Sequence, residues 1–262
     1  MFKLTDAQIA FMDTFGYLSL PDLVADRIEE IDKAFEALMQ EHGSQAHSGQ
    51  ERYCMAPCLN HSVYLSSLLD DERIHGIASG LLGEDYQYWN SDGNYYVGDT
   101  PWHSDTSWPE PIRFYKIAIY LDPMTHDTGA LRVIPGSHRF GDNFAEDVHD
   151  QVSVMKGFWG GLDGADVPSV VLETDPGDIV VFNHSTKHSA WGGGAKRRMF
   201  TMVYTEHHGD VQSIQAFREI ISQHGYTKAE VFGDGLAPLL ESASTERMKH
   251  LAQLIEYIPP SS

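Results

Sequence analysis

The apolar positions begin at helical spacing. Ile9, Met12 and Phe15 follow Thr5-Asp6-Ala7-Gln8, where Thr5 fits an N-cap and Gln8 its partner in a capping box. Gly16 supplies the stop. Tyr17-Leu18-Ser19-Leu20 reads as a short strand ended by Pro21. A second helix is predicted from about Asp22, because Ile28, Ile31, Phe35 and Leu38 share one face while the other is acidic. From Glu41 to Asn60 the chain is polar, with Gly43, Ser44, Ser48 and Gly49. It reads as a loop of a length that often covers an active site. Leu65, Leu68, Leu69, Ile77 and Leu81 predict one helix from Leu65 to Leu82, closed by Gly83.

The period then changes to two. Tyr86-Gln87-Tyr88-Trp89-Asn90 and Asn94-Tyr95-Tyr96-Val97 read as two strands joined at Ser91-Asp92-Gly93. Gly98-Asp99 turns the chain into Thr100-Pro101-Trp102-His103-Ser104-Asp105. In the next strand Tyr115, Ile117, Ile119 and Leu121 share one face. Further strands are predicted at Gly129 to Ile134, Val170 to Leu172, Ile179 to Phe182 and Met199 to Tyr204, with Asp175-Pro176-Gly177-Asp178 as a turn. Ile214, Phe217 and Ile221 mark a helix before Gly225; Met248, Leu251 and Ile255 mark a last one before Pro259. Many strands without βαβ alternation predict an antiparallel sandwich or barrel. The expected organisation is a single domain over residues 1–262. It comprises a helical buttress over about 1–82, a β core over about 86–205 and C-terminal helices over about 210–258.

Composition narrows the function. Eighteen Lys and Arg stand against 38 Asp and Glu, a net charge of −20. That argues against nucleic acid or an anionic membrane as partner, and leaves a small-molecule substrate. It also disfavours a polyanionic CoA ester, since no Lys/Arg cluster is present to hold its phosphates. Cys54 and Cys58 are too few for a disulfide framework and not at zinc or redox spacing. No apolar run approaches the roughly 18 residues that span a bilayer, and no signal peptide is evident, so a cytoplasmic protein, monomer or homodimer, is expected.

Candidate chemistry centres on His103 and Asp105, which on an extended strand point to the same face. A third ligand, His184 or His188 after the Gly177 to Phe182 strand, would complete the two-His, one-carboxylate set of non-haem Fe(II) oxygenases, which leaves coordination positions open. Asn94 and Tyr96 share a face of the preceding strand and are candidate co-substrate or substrate contacts. Trp89, Tyr95, Trp102, Trp108 and Phe114 read as core or pocket wall. His47, His61 and His75 read as surface or structural, and His138 as the anchor of a turn.

Three stretches resemble the phytanoyl-CoA dioxygenase family of Fe(II)/2-oxoglutarate oxygenases. They are Trp102-His103-Ser104-Asp105, Ile117 to Asp122 continuing through Thr128 to His138, and Pro176-Gly177-Asp178 through His188 to Arg197. The run from Leu4 to Tyr17 is similar too. The resemblance implies a double-stranded β-helix (a cupin-like jelly roll), mainly β with flanking α-helices. It implies Fe(II) held by His103, Asp105 and His188, with 2-oxoglutarate and O2 as co-substrates. His188 is preferred over His184 because the family's ligand precedes an arginine by about ten residues. Arg197, seven positions before Tyr204, is implied as the 2-oxoglutarate ligand. Its neighbour Arg198 must then face outward or cover the rim, since adjacent strand residues leave on opposite faces. The family's serine after the histidine is shifted to Ser189 here. The implied reaction is hydroxylation of a C–H bond, with succinate and CO2 released. Alternatives are desaturation or oxidative cyclisation at the same centre, or a non-catalytic metal-binding cupin. Asp105 argues against halogenation, because halogenating relatives carry a small residue there.

Overall fold

The computed structural model describes residues 2–42, 49–106, 112–154, 158–159, 162–194, 197–225, 227 and 238–259. Two antiparallel sheets pack face to face. The larger has the order β1 (Tyr17–Leu20), β10 (Ile179–Asn183), β5 (Phe114–Tyr120), β12 (Arg197–Thr205), β3 (Gln87–Tyr96), β2 (Tyr53–Met55). The smaller has the order β4 (Thr100–His103), β11 (His188–Ala190), β6 (Leu131–Val133), β9 (Val170–Leu172). A two-stranded ribbon, β7 (Phe158–Trp159) and β8 (Leu162–Asp163), stands apart. This is the expected jelly-roll architecture, with a larger helical share than "mainly β" suggests.

The alternation along β5 divides two cores. Tyr115, Ile117 and Ile119 join the main cluster with Ile31 and Phe35 of α2 (Ile28–Glu41). Ala118 and Tyr120 pack between the sheets with Leu131, Val133, Leu172, Val180 and Phe182. Helix α1 (Asp6–Phe15) has the expected capping box at Thr5, and Gly16 ends it in the left-handed region at φ 82°. Short α3 (Val63–Ser66), then α4 (Glu72–Leu82), α7 (Pro238–Glu241) and α8 (Thr245–Tyr257) extend the helical layer. Helix α5 (Asn143–Val154) brings Val148 against Trp102 and Ile134 of the smaller sheet. Helix α6 (Val211–His224) buries Phe217 and Ile221 and stops at Gly225. Among the described residues, no helix is long and apolar enough to cross a membrane.

Four expectations change. Ser91-Asp92-Gly93 is no turn: β3 runs straight through it, pairing Ser91, Asp92 and Gly93 with Met202, Thr201 and Phe200. Gly93 serves close packing instead, since a Cβ there would stand 2.6 Å from Cys58 Sγ. The single helix over 65–82 is broken at Asp71, whose extended backbone caps α4 and whose carboxylate accepts from the Arg73 amide and from Arg27 and Arg73. The second helix starts at Ile28, because Asp22 sits at φ 56° with its N–H donated to Asp178 Oδ1 (2.8 Å) and a 3₁₀ turn follows at Ala25–Arg27. Within the expected 41–60 loop, β2 adds an edge strand to β3. His47 and Trp108 lie outside the described residues.

Candidate active site

β4 and β11 are antiparallel neighbours with His103 opposite His188, so the sheet register itself brings the two imidazoles together. Their ring centroids are 4.2 Å apart. Asp105 lies just past the end of β4, where its N–H donates to His184 O (3.0 Å). His103 Nε2 is 3.8 Å from Asp105 Oδ1, and His188 Nε2 is 3.7 Å from Asp105 Oδ2. One donor atom from each residue lies within 4.8 Å of the others, the one such grouping of His, Cys, Asp and Glu among the described residues.

The Nδ1 atoms are already engaged, His103 with Pro101 O (2.8 Å) and His188 with Thr186 O (2.9 Å). A carbonyl partner makes each Nδ1 the protonated nitrogen and leaves each Nε2 lone pair facing the carboxylate. Burial, with His103 alongside, pushes His188 down to about 3, so its ring is neutral. Burial alone would raise Asp105, but the Lys116 ammonium and the nearby imidazoles outweigh it and hold the carboxyl well below its usual range. Lys116 Nζ stands 2.8 Å from Asp105 Oδ2 and 3.8 Å from Asp92 Oδ2. Two imidazole Nε2 atoms and an ionised carboxylate are a donor set that fits a divalent iron.

The same pocket extends to Arg197. Its side chain is inward on β12, 3 % exposed, sharing the pocket face with Met199 and Thr201. Nη1 donates to Gly129 O (2.7 Å), Nη2 to Thr100 Oγ1 (3.3 Å), and the guanidinium lies 4.5 Å from the Tyr96 ring centre. Its buried Nε has no hydrogen-bond partner among the described residues, and a co-substrate carboxylate could accept from it. Arg198 turns the opposite way, but it is not solvated. It binds Asp122 (2.8 Å), Asp32 (2.6 Å) and Glu36 (2.7 Å), tying β12 to α2.

Residues 12–199 match the family model described as phytanoyl-CoA dioxygenase (PhyH). The chain belongs to the phytanoyl-CoA dioxygenase family. It is therefore a non-haem iron, 2-oxoglutarate-dependent oxidoreductase, with O2 as the usual co-substrate of the family. Several solved structures share the fold. EctD from S. alaskensis with bound Fe is 25% identical over 78% of this chain and 77% of its own, with a TM-score of 0.60. HygX from Streptomyces hygroscopicus, with nickel and 2-oxoglutarate bound, is 14% identical over 78% and 88%, TM-score 0.62. The alpha-ketoglutarate-dependent carbocyclase SnoK from nogalamycin biosynthesis is 22% identical over 78% and 84%, TM-score 0.60. Comparison with curated proteins returns no match.

Other sequence candidates of this PhyH-family chain fall differently. Tyr96 lines the pocket. Asn94 does not: it is fully buried behind the wall, donating to Asp92 Oδ1 (2.8 Å) and accepting from Arg52 (2.9 Å). It braces Asp92 directly and holds Arg52, which in turn donates to the Tyr96 hydroxyl (3.0 Å). Ser189 also lines the pocket, and its hydroxyl accepts from Trp191 Nε1 (2.9 Å). His184 stays out of the ligand grouping, stacked on Phe114 with centroids 5.5 Å apart. His138 reaches Asp13 O (3.3 Å) at the end of α1. Lys116 and Asp92 escaped sequence reasoning. A usable signal existed for Lys116, one charge on the otherwise apolar β5 segment Tyr115-Lys116-Ile117-Ala118-Ile119.

Proposed function

We propose that this enzyme hydroxylates a C–H bond of a small polar metabolite or natural-product intermediate. One atom of O2 enters succinate as 2-oxoglutarate loses CO2, and the other enters the substrate hydroxyl. Iron(II), held by His103, Asp105 and His188, supplies the redox chemistry that activates O2. Pro101 and Thr186 carbonyls fix the two rings, and Lys116 orients the Asp105 carboxylate. Arg197 receives the distal carboxylate of 2-oxoglutarate through a charge-assisted fork, with Tyr96 and Thr100 beside it.

The observation that carries this reading is one pocket holding both the three-residue grouping and an inward arginine with a donor unpaired among the described residues. A metal-binding cupin without redox chemistry has no use for that arginine. Asp105 fills the ligand position where halogenation would need a small residue. The chain is read as one catalytic domain, monomer or homodimer, acting in the cytoplasm, where its free thiols Cys54 and Cys58 stay reduced. The test is anaerobic addition of Fe(II) and 2-oxoglutarate. A weak visible charge-transfer band, followed by succinate on admitting O2, is expected. Absence of both would reject the enzyme reading in favour of the binding protein.

A further inference from the structure

A second cavity adjoins the metal pocket and shares one wall with it. It has a volume of about 480 Å³, within the range of small-molecule sites, and Asp105 lines both spaces. A molecule held there therefore lies against the metal carboxylate without entering the Arg197 side of the pocket, where the co-substrate carboxylate belongs. Its inner walls are the rings of Trp89, Phe114 and His184. Its outer wall is one face of α6, with Ala216, Glu219, Ile220 and Gln223 at the i, i+3, i+4, i+7 spacing.

The chemistry of that lining is one-sided. Among the described residues no Lys or Arg lines the cavity, while Glu219 does and Asp105 closes its inner end. Glu219 uses one oxygen on Gln215 Nε2 (3.0 Å), and its second has no partner among the described residues. The buried Nε2 of His184 has no hydrogen-bond partner among the described residues, and a ligand hydroxyl or amine would satisfy it. Aromatic faces beside a carboxylate attract an organic cation by ring quadrupole and charge together. The remaining polar lining is Thr106, Gln223 and His224, so an anion would meet the Glu219 carboxylate with no Lys or Arg opposite it among the described residues.

We propose that this cavity is the primary-substrate site and that it selects a small organic cation, an amine carried on an apolar ring or chain, through Glu219 and the Trp89, Phe114 and His184 rings. This rests on the oxygenase reading above and names its substrate class. A CoA thioester, whose phosphates need cations, is excluded by the same lining.

The probes are benzylamine, benzyl alcohol and benzoate, matched in size and differing in charge. Binding to the protein loaded with Fe(II) and 2-oxoglutarate under anaerobic conditions is measured by ligand-observed NMR, and the charge-transfer band is recorded on the same sample. The wild type should prefer benzylamine over benzyl alcohol by about two- to five-fold, the effect of one solvent-accessible ion pair, with benzoate weakest. Glu219→Gln should remove that preference, and Glu219→Lys should invert it towards benzoate, both with the band intact. Ala216→Trp, which fills the cavity, should abolish binding of all three. Equal affinities, tighter benzoate, no binding by any probe, or a benzylamine preference that survives Glu219→Lys would overturn the proposal. Loss of the band in the wild type would instead strike the oxygenase reading, so the two failures are distinguishable.

Discussion

Removing the Arg197 guanidinium should separate co-substrate binding from folding and from metal binding. Arg197 is almost fully buried, and its present partners, Gly129 O and Thr100 Oγ1, are neutral. A carboxylate placed on the fork gains a charge-assisted contact in a poorly hydrated pocket. Losing it should cost roughly 2–4 kcal/mol, or about thirty- to a thousand-fold in 2-oxoglutarate affinity. Arg197→Lys keeps the charge but not the planar fork and should fall between wild type and Arg197→Ala. The assay is titration of 2-oxoglutarate into each Fe(II)-loaded variant without oxygen, following the charge-transfer band, with iron content confirmed first. Arg198→Ala is the control. It removes the cation shared by Asp122, Asp32 and Glu36, so it should lower stability by roughly 1–3 kcal/mol and leave the dissociation constant within a few-fold of wild type. The outward-facing Arg198 thus has a structural part, tying β12 to α2. A near-normal Arg197→Ala beside a large loss in Arg198→Ala would refute the assignment.

His188→Ala should abolish iron binding and succinate formation, whereas His184→Ala should retain iron; metal analysis of the purified variants decides, and the reverse result would move the ligand to His184. Lys116→Met should weaken iron binding by about 10- to 100-fold, the usual effect of losing a partner that orients a ligand, with Lys116→Arg recovering part; an unchanged iron affinity in Lys116→Met would remove Lys116 from that role. Burial pushes His208 down to about 4, below the ordinary imidazole value. The unfolded chain then binds the extra proton first, so this group's contribution to stability is complete above about pH 6.5 and is lost as pH falls through 4. The urea midpoint should drop across that window, and His208→Gln should flatten the drop; an identical slope in the variant would rule this out.

Local chemistry determined much of the molecule. The Thr5 and Gln8 cap, the Gly16 and Gly225 stops and the alternation through Ile117 and Ile119 each act over a few residues, so their elements could be placed from the sequence. The His103 and Asp105 pair was legible because strand geometry puts alternate residues on one side. Where longer-range contacts outweighed local preference, the reading failed. Ser91-Asp92-Gly93 has turn composition, yet pairing with β12 and the closeness of Cys58 make it the middle of a strand. Leu65 to Leu82 has helical spacing, yet two arginines reward a break at Asp71.

At the site the division is the same. Arg197 and Arg198 have equally apolar companions along β12, so no pattern separates them. Their faces are decided by what lies opposite, with the pocket of His103, Asp105 and His188 on one side and the acidic residues of α2 on the other. Asn94 and Tyr96 look equivalent on β3, and only the approach of Arg52 assigns one to bracing and leaves the other on the pocket wall. Lys116 joins the grouping of His103, Asp105 and His188 because Asp105, eleven residues earlier, folds back within 2.8 Å of its ammonium. Such convergence depends on sheet register and packing between distant segments, which a linear pattern does not encode.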